Sequence, residues 1–191
     1  GDLAAIEQVF SEGIANLRNE NLETPLHLAA KDGTADVAKY LIQRGANVNA
    51  HDKMSRTPLH VAAQEKQREI AELLVNNFAD VNACGTDNPC TPLHLAAESG
   101  DADIAEFLIQ RGAAIEGCSP DHDTPLSRAA AHGRMDVAKL LIQQGANLNA
   151  RGAADQPTPL QMAVETFNSD VVILLIQSGA DLNIAKYEEF S

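Results

Sequence analysis

Tryptophan is absent from the 191 residues, and aromatic residues make up only 4% of them. That is little for a compact enzyme core, so the 45% apolar content has to pack mainly through Ala, Leu, Ile and Val at close helix contacts. Positive charge is also scarce: 14 Lys and Arg stand against 27 Asp and Glu, a formal net charge of −13. Phosphate binding needs Lys/Arg clusters that release counterions. No basic run exists, which excludes nucleic acid as the expected partner and disfavours an anionic membrane surface. The longest aliphatic run, Val171 to Ile176, falls far short of the roughly 20 residues that span a bilayer, so membrane insertion is not expected. No charged stretch followed by an apolar one opens the sequence at Gly1 as a secretory signal would. Cys84, Cys90 and Cys118 are too few, and odd in number, for a disulfide framework. This cysteine usage favours a reducing, intracellular setting, cytoplasmic or nuclear.

What is present is a repeat. Thr24-Pro-Leu-His-Leu-Ala-Ala30 returns as Thr57-Pro-Leu-His-Val-Ala-Ala63 and Thr91-Pro-Leu-His-Leu-Ala-Ala97, then as Thr124-Pro-Leu-Ser-Arg-Ala-Ala130 and Thr158-Pro-Leu-Gln-Met-Ala-Val164. Successive copies are 33, 34, 33 and 34 residues apart. Each heptad reads as a helix start, with Thr as N-cap and Pro at the first helical position. A break follows, with Gly33, Gly100 and Gly133 at equivalent places. A second apolar pattern comes next: Val37, Ala38, Leu41 and Ile42 in one copy, and Ile104, Ala105, Leu108 and Ile109 in another. That spacing places the four residues on one helical face. The second helix is expected to end at Gly45, Gly112, Gly145 and Gly179 in a left-handed cap. Polar segments rich in Asp, Asn, Ser, Gly and Pro then lead to the next Thr.

The heptad and its period resemble the ankyrin repeat over essentially the whole chain. The resemblance implies an all-α solenoid of stacked helix–turn–helix units linked by extended finger loops. Neither helix of a unit can bury its apolar face alone, so neighbours must share a continuous core. The expected organisation is a single domain over 1–191, with a half repeat at 1–23 and repeats starting near 24, 57, 91, 124 and 158. Ala5, Ile6, Val9 and Phe10 match the apolar face of a second helix whose first helix is missing. Ser191 stands where the next Thr would fall, and Ile173 replaces the Lys or Glu of earlier copies. These features lead us to expect a chain cut from a longer protein.

The recurring His27, His60 and His94 invite a metal or catalytic reading. In the ankyrin pattern this His is a helix-start hydrogen-bonding residue, and units stacked about 8–10 Å apart separate equivalent rings too widely to share a metal. His51, His122 and His132 lack a ligand-spaced partner and read as surface groups. Cys84 and Cys118 occupy equivalent finger positions, so the same spacing is expected to exceed the roughly 7 Å Cα limit for a disulfide. Cys84 and Cys90 flank one short loop, but a stable bridge between them is not expected in a reducing compartment. No phosphate-binding Gly loop, His-Glu-x-x-His, EF-hand or Gly-x-Ser-x-Gly motif occurs. Neither an enzyme nor a cofactor or metal site is expected.

Departures from the pattern mark local events. Phe78 stands where four other copies carry Gly, so either it takes a positive φ or Asn77 does. Lys66 and Phe167 replace the inter-helix Gly, and the fourth heptad carries Ser127 and Arg128 after Ala113-Ala-Ile-Glu-Gly117 has lost the usual Asn. These read as drift in a tolerant scaffold. The resemblance implies a protein-binding module or scaffold whose partner is another protein, held on the fingers and first helices. The alternative is a regulatory or targeting array within a larger enzyme, channel or effector. The expected surface comprises finger residues Glu20, Asn21, Glu23, His51, Lys53, Met54, Arg56, Asp87, Asn88, Asp121, His122, Asp123, Asp155 and Gln156. First-helix residues Lys31, Asp32, Gln64, Glu65, Glu98, Ser99, His132, Glu165 and Thr166 complete it. The acidity of this surface matches that of the remainder, so its location is predicted more firmly than its sign.

Overall fold

The computed structural model describes residues 14–85, 89–118, 123–151 and 156–183. The expected second-helix residues Ala5, Ile6, Val9 and Phe10 lie outside them. A 3-10 turn, Ile14–Asn16, precedes five helix pairs: α1 Pro25–Asp32 and α2 Ala35–Gln43, α3 Pro58–Gln64 and α4 Arg68–Asn76, α5 Pro92–Ser99 and α6 Ala102–Gln110, α7 Pro125–Ala131 and α8 Met135–Gln143, and α9 Pro159–Glu165 and α10 Ser169–Gln177.

Each first helix begins as its heptad dictates. Thr24, Thr57, Thr91, Thr124 and Thr158 hold an extended backbone at the N-cap, and Pro follows at N1. The proline costs no hydrogen bond there, because that N–H would lack a helical partner in any case. The turn after each first helix needs one left-handed residue. Gly supplies it in three repeats, while Lys66 and Phe167 adopt φ of 59° and 61° in the other two. After the second helix the same role falls to Gly in four repeats and to Phe78, at φ 67°, in the remaining one. This settles the choice between Phe78 and Asn77.

The first helices α1, α3, α5, α7 and α9 form one row, each packed on its neighbours and on its own second helix, and the second helices form a second row. Close approach in the first row rests on small residues: Ala29, Ala30, Ala62, Ala63, Ala96, Ala97, Ala129, Ala130 and Ala163 are all buried. Leu26, Leu59, Leu93 and Leu126 fill the space towards the second row, and a single apolar cluster extends from Ala15 to Ala180. Val37 departs from the expected face and is 48% exposed, whereas its counterparts Ile70, Ile104, Val137 and Val171 are buried. It belongs to the first second-row helix among the described residues.

A polar ladder runs alongside this core. Asn49 donates from Nδ2 to the Phe78 carbonyl (3.2 Å) and accepts at Oδ1 from the Asp80 N–H (2.8 Å). Asn16 does the same to Gly45 and Asn47, and Asn82 to Gly112 and Ala114. One side chain thereby satisfies the end of the next unit's second helix, whose last carbonyls have no helical partner. Glu116 occupies this rung in the third repeat. It accepts from the Asn147 N–H at 2.8 Å but carries no donor for the carbonyl opposite.

Candidate functional site

The fingers are shaped from within. Asp52 Oδ1 accepts from the N–H groups of Met54 and Arg56, and the Asp52 N–H donates to the Arg56 carbonyl, closing a tight five-residue loop. Asn19 closes 19–23 in the same way. The Lys53 N–H donates to the Asn21 carbonyl at 2.8 Å, so the first two fingers are also tied to each other.

Three histidines fix the fingers to the helix row. The Thr57 N–H donates to His60 Nδ1 at 3.0 Å, which makes Nδ1 an acceptor and leaves the neutral ring's proton on Nε2. Nε2 then donates to the Cys90 carbonyl in the next finger at 2.9 Å. His27 reaches the Arg56 carbonyl and His94 the Asp123 carbonyl in the same manner. Burial pushes the pKa of all three below the ordinary histidine value, that of His60 to about 4. Both ring nitrogens of each are spent on this architecture, as the helix-start reading implied. In the fifth repeat Gln161 Oε1 takes the place of Nδ1. Ser127 in the fourth bonds to Thr124 within its own helix start.

Between the second and third fingers and the first helices lies a cavity of about 250 Å³. Met54, Arg56, Gln64 and Glu98 line it, four residues expected on the surface, and they are joined by Leu95, Cys90 and Arg128. Leu95 and Arg128 share the fifth heptad position, which therefore faces the groove; the variability of that position, Leu, Val, Leu, Arg and Met, was the available signal. Met54 is 70% exposed, an apolar side chain at the cavity wall. Arg56 is more constrained than a free groove residue. Its guanidinium pairs with Asp52, which is only 6% exposed, at 2.8 Å, and donates to Gln64 at 3.1 Å. Arg128 is held between Asp123 and Glu98, and these partners raise its already high pKa against the opposing cost of burial.

Glu20, Asn21, Lys31, Asp32, His51, Lys53, Glu65, His132, Glu165 and Thr166 are exposed. Glu23, Ser99, Asp123 and Gln156 are half-buried, and Ser99 bonds back to the Ala63 carbonyl. Asp87, Asn88, Asp121, His122 and Asp155 lie outside the described residues.

One expectation is overturned: Cys84 and Cys118 form a disulfide, with Cα atoms 6.3 Å apart. The fingers do not keep the helix-packing distance here. Gly117 replaces the buried Ala50, Ala83 and Ala150 of other fingers and turns to φ 86° beside the His94 ring. A Cβ at this position would sit 2.3 Å from His94 Cε1, so only glycine permits the path that brings Cys118 to its neighbour. Cys90 is a free thiol whose pKa burial pushes up to about 11.

Five helix pairs in two rows, joined by fingers that are clamped to the next unit, define a helical repeat solenoid. The chain matches the family model for ankyrin repeats (3 copies) over residues 1–85 and 93–186, and it belongs to the ankyrin repeat family. A 35-residue stretch, 18% of this chain, is 60% identical to alpha-latrocrustotoxin-Lt1a of Latrodectus tredecimguttatus, where it covers 2% of the length. Ankyrin repeats are generally protein–protein interaction modules and typically non-enzymatic. Among the described residues no helix is long and apolar enough to cross a membrane.

Proposed function

We propose that the chain is a scaffold that binds another protein in the groove between its fingers and first helices, centred on the cavity beside Met54, Gln64 and Leu95. The observation that carries this reading is the cavity itself. It combines an exposed apolar side chain with polar groups held in place by carboxylates, one of them the nearly buried Asp52, the arrangement from which central binding hot spots are built. Arg56 and Arg128 act mainly as fixed walls, because each is committed to a carboxylate. We take 1–191 as one domain with the repeat boundaries given above, since the apolar cluster is shared between units. We place it inside a cell, in cytoplasm or nucleus, where thiol–disulfide exchange keeps the Cys84–Cys118 bridge reversible.

A photoreactive residue at position 54 or 64 tests the surface directly. Cross-linking to a second polypeptide from these positions, with none from 39 or 106 on the second-helix side, is the expected pattern. Cross-links confined to 39 and 106 would place the partner on the back. The match to a stretch that forms only 2% of a toxin chain favours a second reading, in which the array serves a larger effector. A catalytic motif or membrane span in flanking sequence would select that reading.

A further inference from the structure

We propose that Cys84 and Cys118 are a redox-operated clasp between the third and fourth fingers, and that the state of this clasp sets access to the central cavity. Three observations converge on it. The bridged residues are 34 apart, one repeat, so the bond joins adjacent units and not the two ends of one loop. Gly85, next to Cys84, lines the cavity, and so does Cys90 at the far end of the same finger. On the other side, Cys118 is followed within a few residues by Asp123, whose carbonyl is held by His94 and whose carboxylate holds the cavity wall residue Arg128. The clasp therefore joins the finger that lines the cavity to the finger whose Asp123 holds the cavity wall residue Arg128.

Gly117 makes the clasp specific to this pair. It is the residue that departs from the buried Ala of the other fingers, it takes a positive φ, and it leaves no room for a side chain against His94. The third cysteine does not compete: the burial that pushes up the pKa of Cys90 keeps it a thiol at neutral pH, and the thiol form is a poor nucleophile. Closure proceeds by ordinary exchange with a low-molecular-weight disulfide such as oxidised glutathione. One thiolate of the pair attacks it, forming a mixed disulfide and releasing one small thiolate. The other thiolate then attacks the protein sulfur of that mixed disulfide, forming the Cys84–Cys118 bond and releasing the second. Two electrons pass to the small disulfide, and the two protons lost by the protein thiols end on the two small thiols.

The clasp does not depend on the groove being a partner site; only its consequence for binding rests on that reading, and the test needs no partner. The full chain is equilibrated in glutathione buffers of graded oxidation, quenched in acid, alkylated and weighed. The expected result is a passage from three alkylated cysteines to one, in a single two-electron step, with the remaining label on Cys90. Gly117→Ala shifts that step by about tenfold or more towards oxidised glutathione. In the folded wild-type chain, maleimide labels Cys90 about fivefold faster once the clasp is reduced. Cys84→Ser/Cys118→Ser labels at the fast rate in both buffers. Three free thiols throughout, or a bridge that includes Cys90, would overturn the clasp. A Cys90 labelling rate indifferent to redox state would overturn its control of the cavity. The wild-type titration and labelling decide both points even if Gly117→Ala fails to fold.

Discussion

At the scale of single residues, the strained and the buried positions make different demands on stability. Phe78 holds a left-handed backbone while its ring is 90% exposed, so it bears conformational strain with almost no burial in return. Phe78→Gly is therefore expected to raise stability by about 1 kcal/mol in urea unfolding. A loss of several kcal/mol would show that the ring is core. The clamp histidines behave in the opposite way. Their pKa values are lower folded than unfolded, so below pH 6.5 the unfolded chain binds protons that the native rings refuse, a window that for His60 extends to about pH 4. The stability they confer is complete above pH 6.5 and is lost as pH falls through that window. For His60 the loss is on the order of 3 kcal/mol. His60→Gln keeps an acceptor for the Thr57 N–H, as Gln161 shows in the fifth repeat, and should flatten the pH dependence of the melting temperature between pH 6.5 and 4. An unchanged slope would mean that other groups carry the acid sensitivity.

At the scale of elements, the ladder between units sets how well each pair of repeats adheres. Glu116 accepts from Asn147 but has no proton for the helix end of the next unit, which Asn16, Asn49 and Asn82 each cap in theirs. Glu116→Asn supplies that donor, and a net gain of about 0.5–1.5 kcal/mol is expected from urea titration. No gain, or a loss, would show that the carboxylate has a role the ladder does not capture. The helices themselves were legible in the sequence because their signals are local: Thr and Pro start them, and a left-handed residue stops them. The bridge was not legible. The gap between two fingers depends on a single positive φ at Gly117 and its contact with a His 23 residues earlier, and neither follows from repeat spacing.

At the scale of the whole molecule, the groove is built from positions that the repeat register placed on one side, and Met54, Gln64 and Glu98 do meet there. What the register could not supply was which of them are free. Asp52 and Arg56 look like two loop charges in the sequence, yet they form a pair with a nearly buried carboxylate, so removing Arg56 would leave that charge without its partner. Partner binding is therefore best probed through side chains whose removal leaves the buried Asp52 carboxylate paired with Arg56. The most direct test of the groove as the binding surface is the partner's Kd for wild type, Met54→Ala/Gln64→Ala and Lys39→Ala/Glu106→Ala, measured alongside their melting temperatures. The groove pair is predicted to weaken binding by about 1 kcal/mol or more, about fivefold or greater, with little change in melting temperature, and the second-helix pair to change neither. Full affinity in the groove pair together with lost affinity in the second-helix pair would contradict the account.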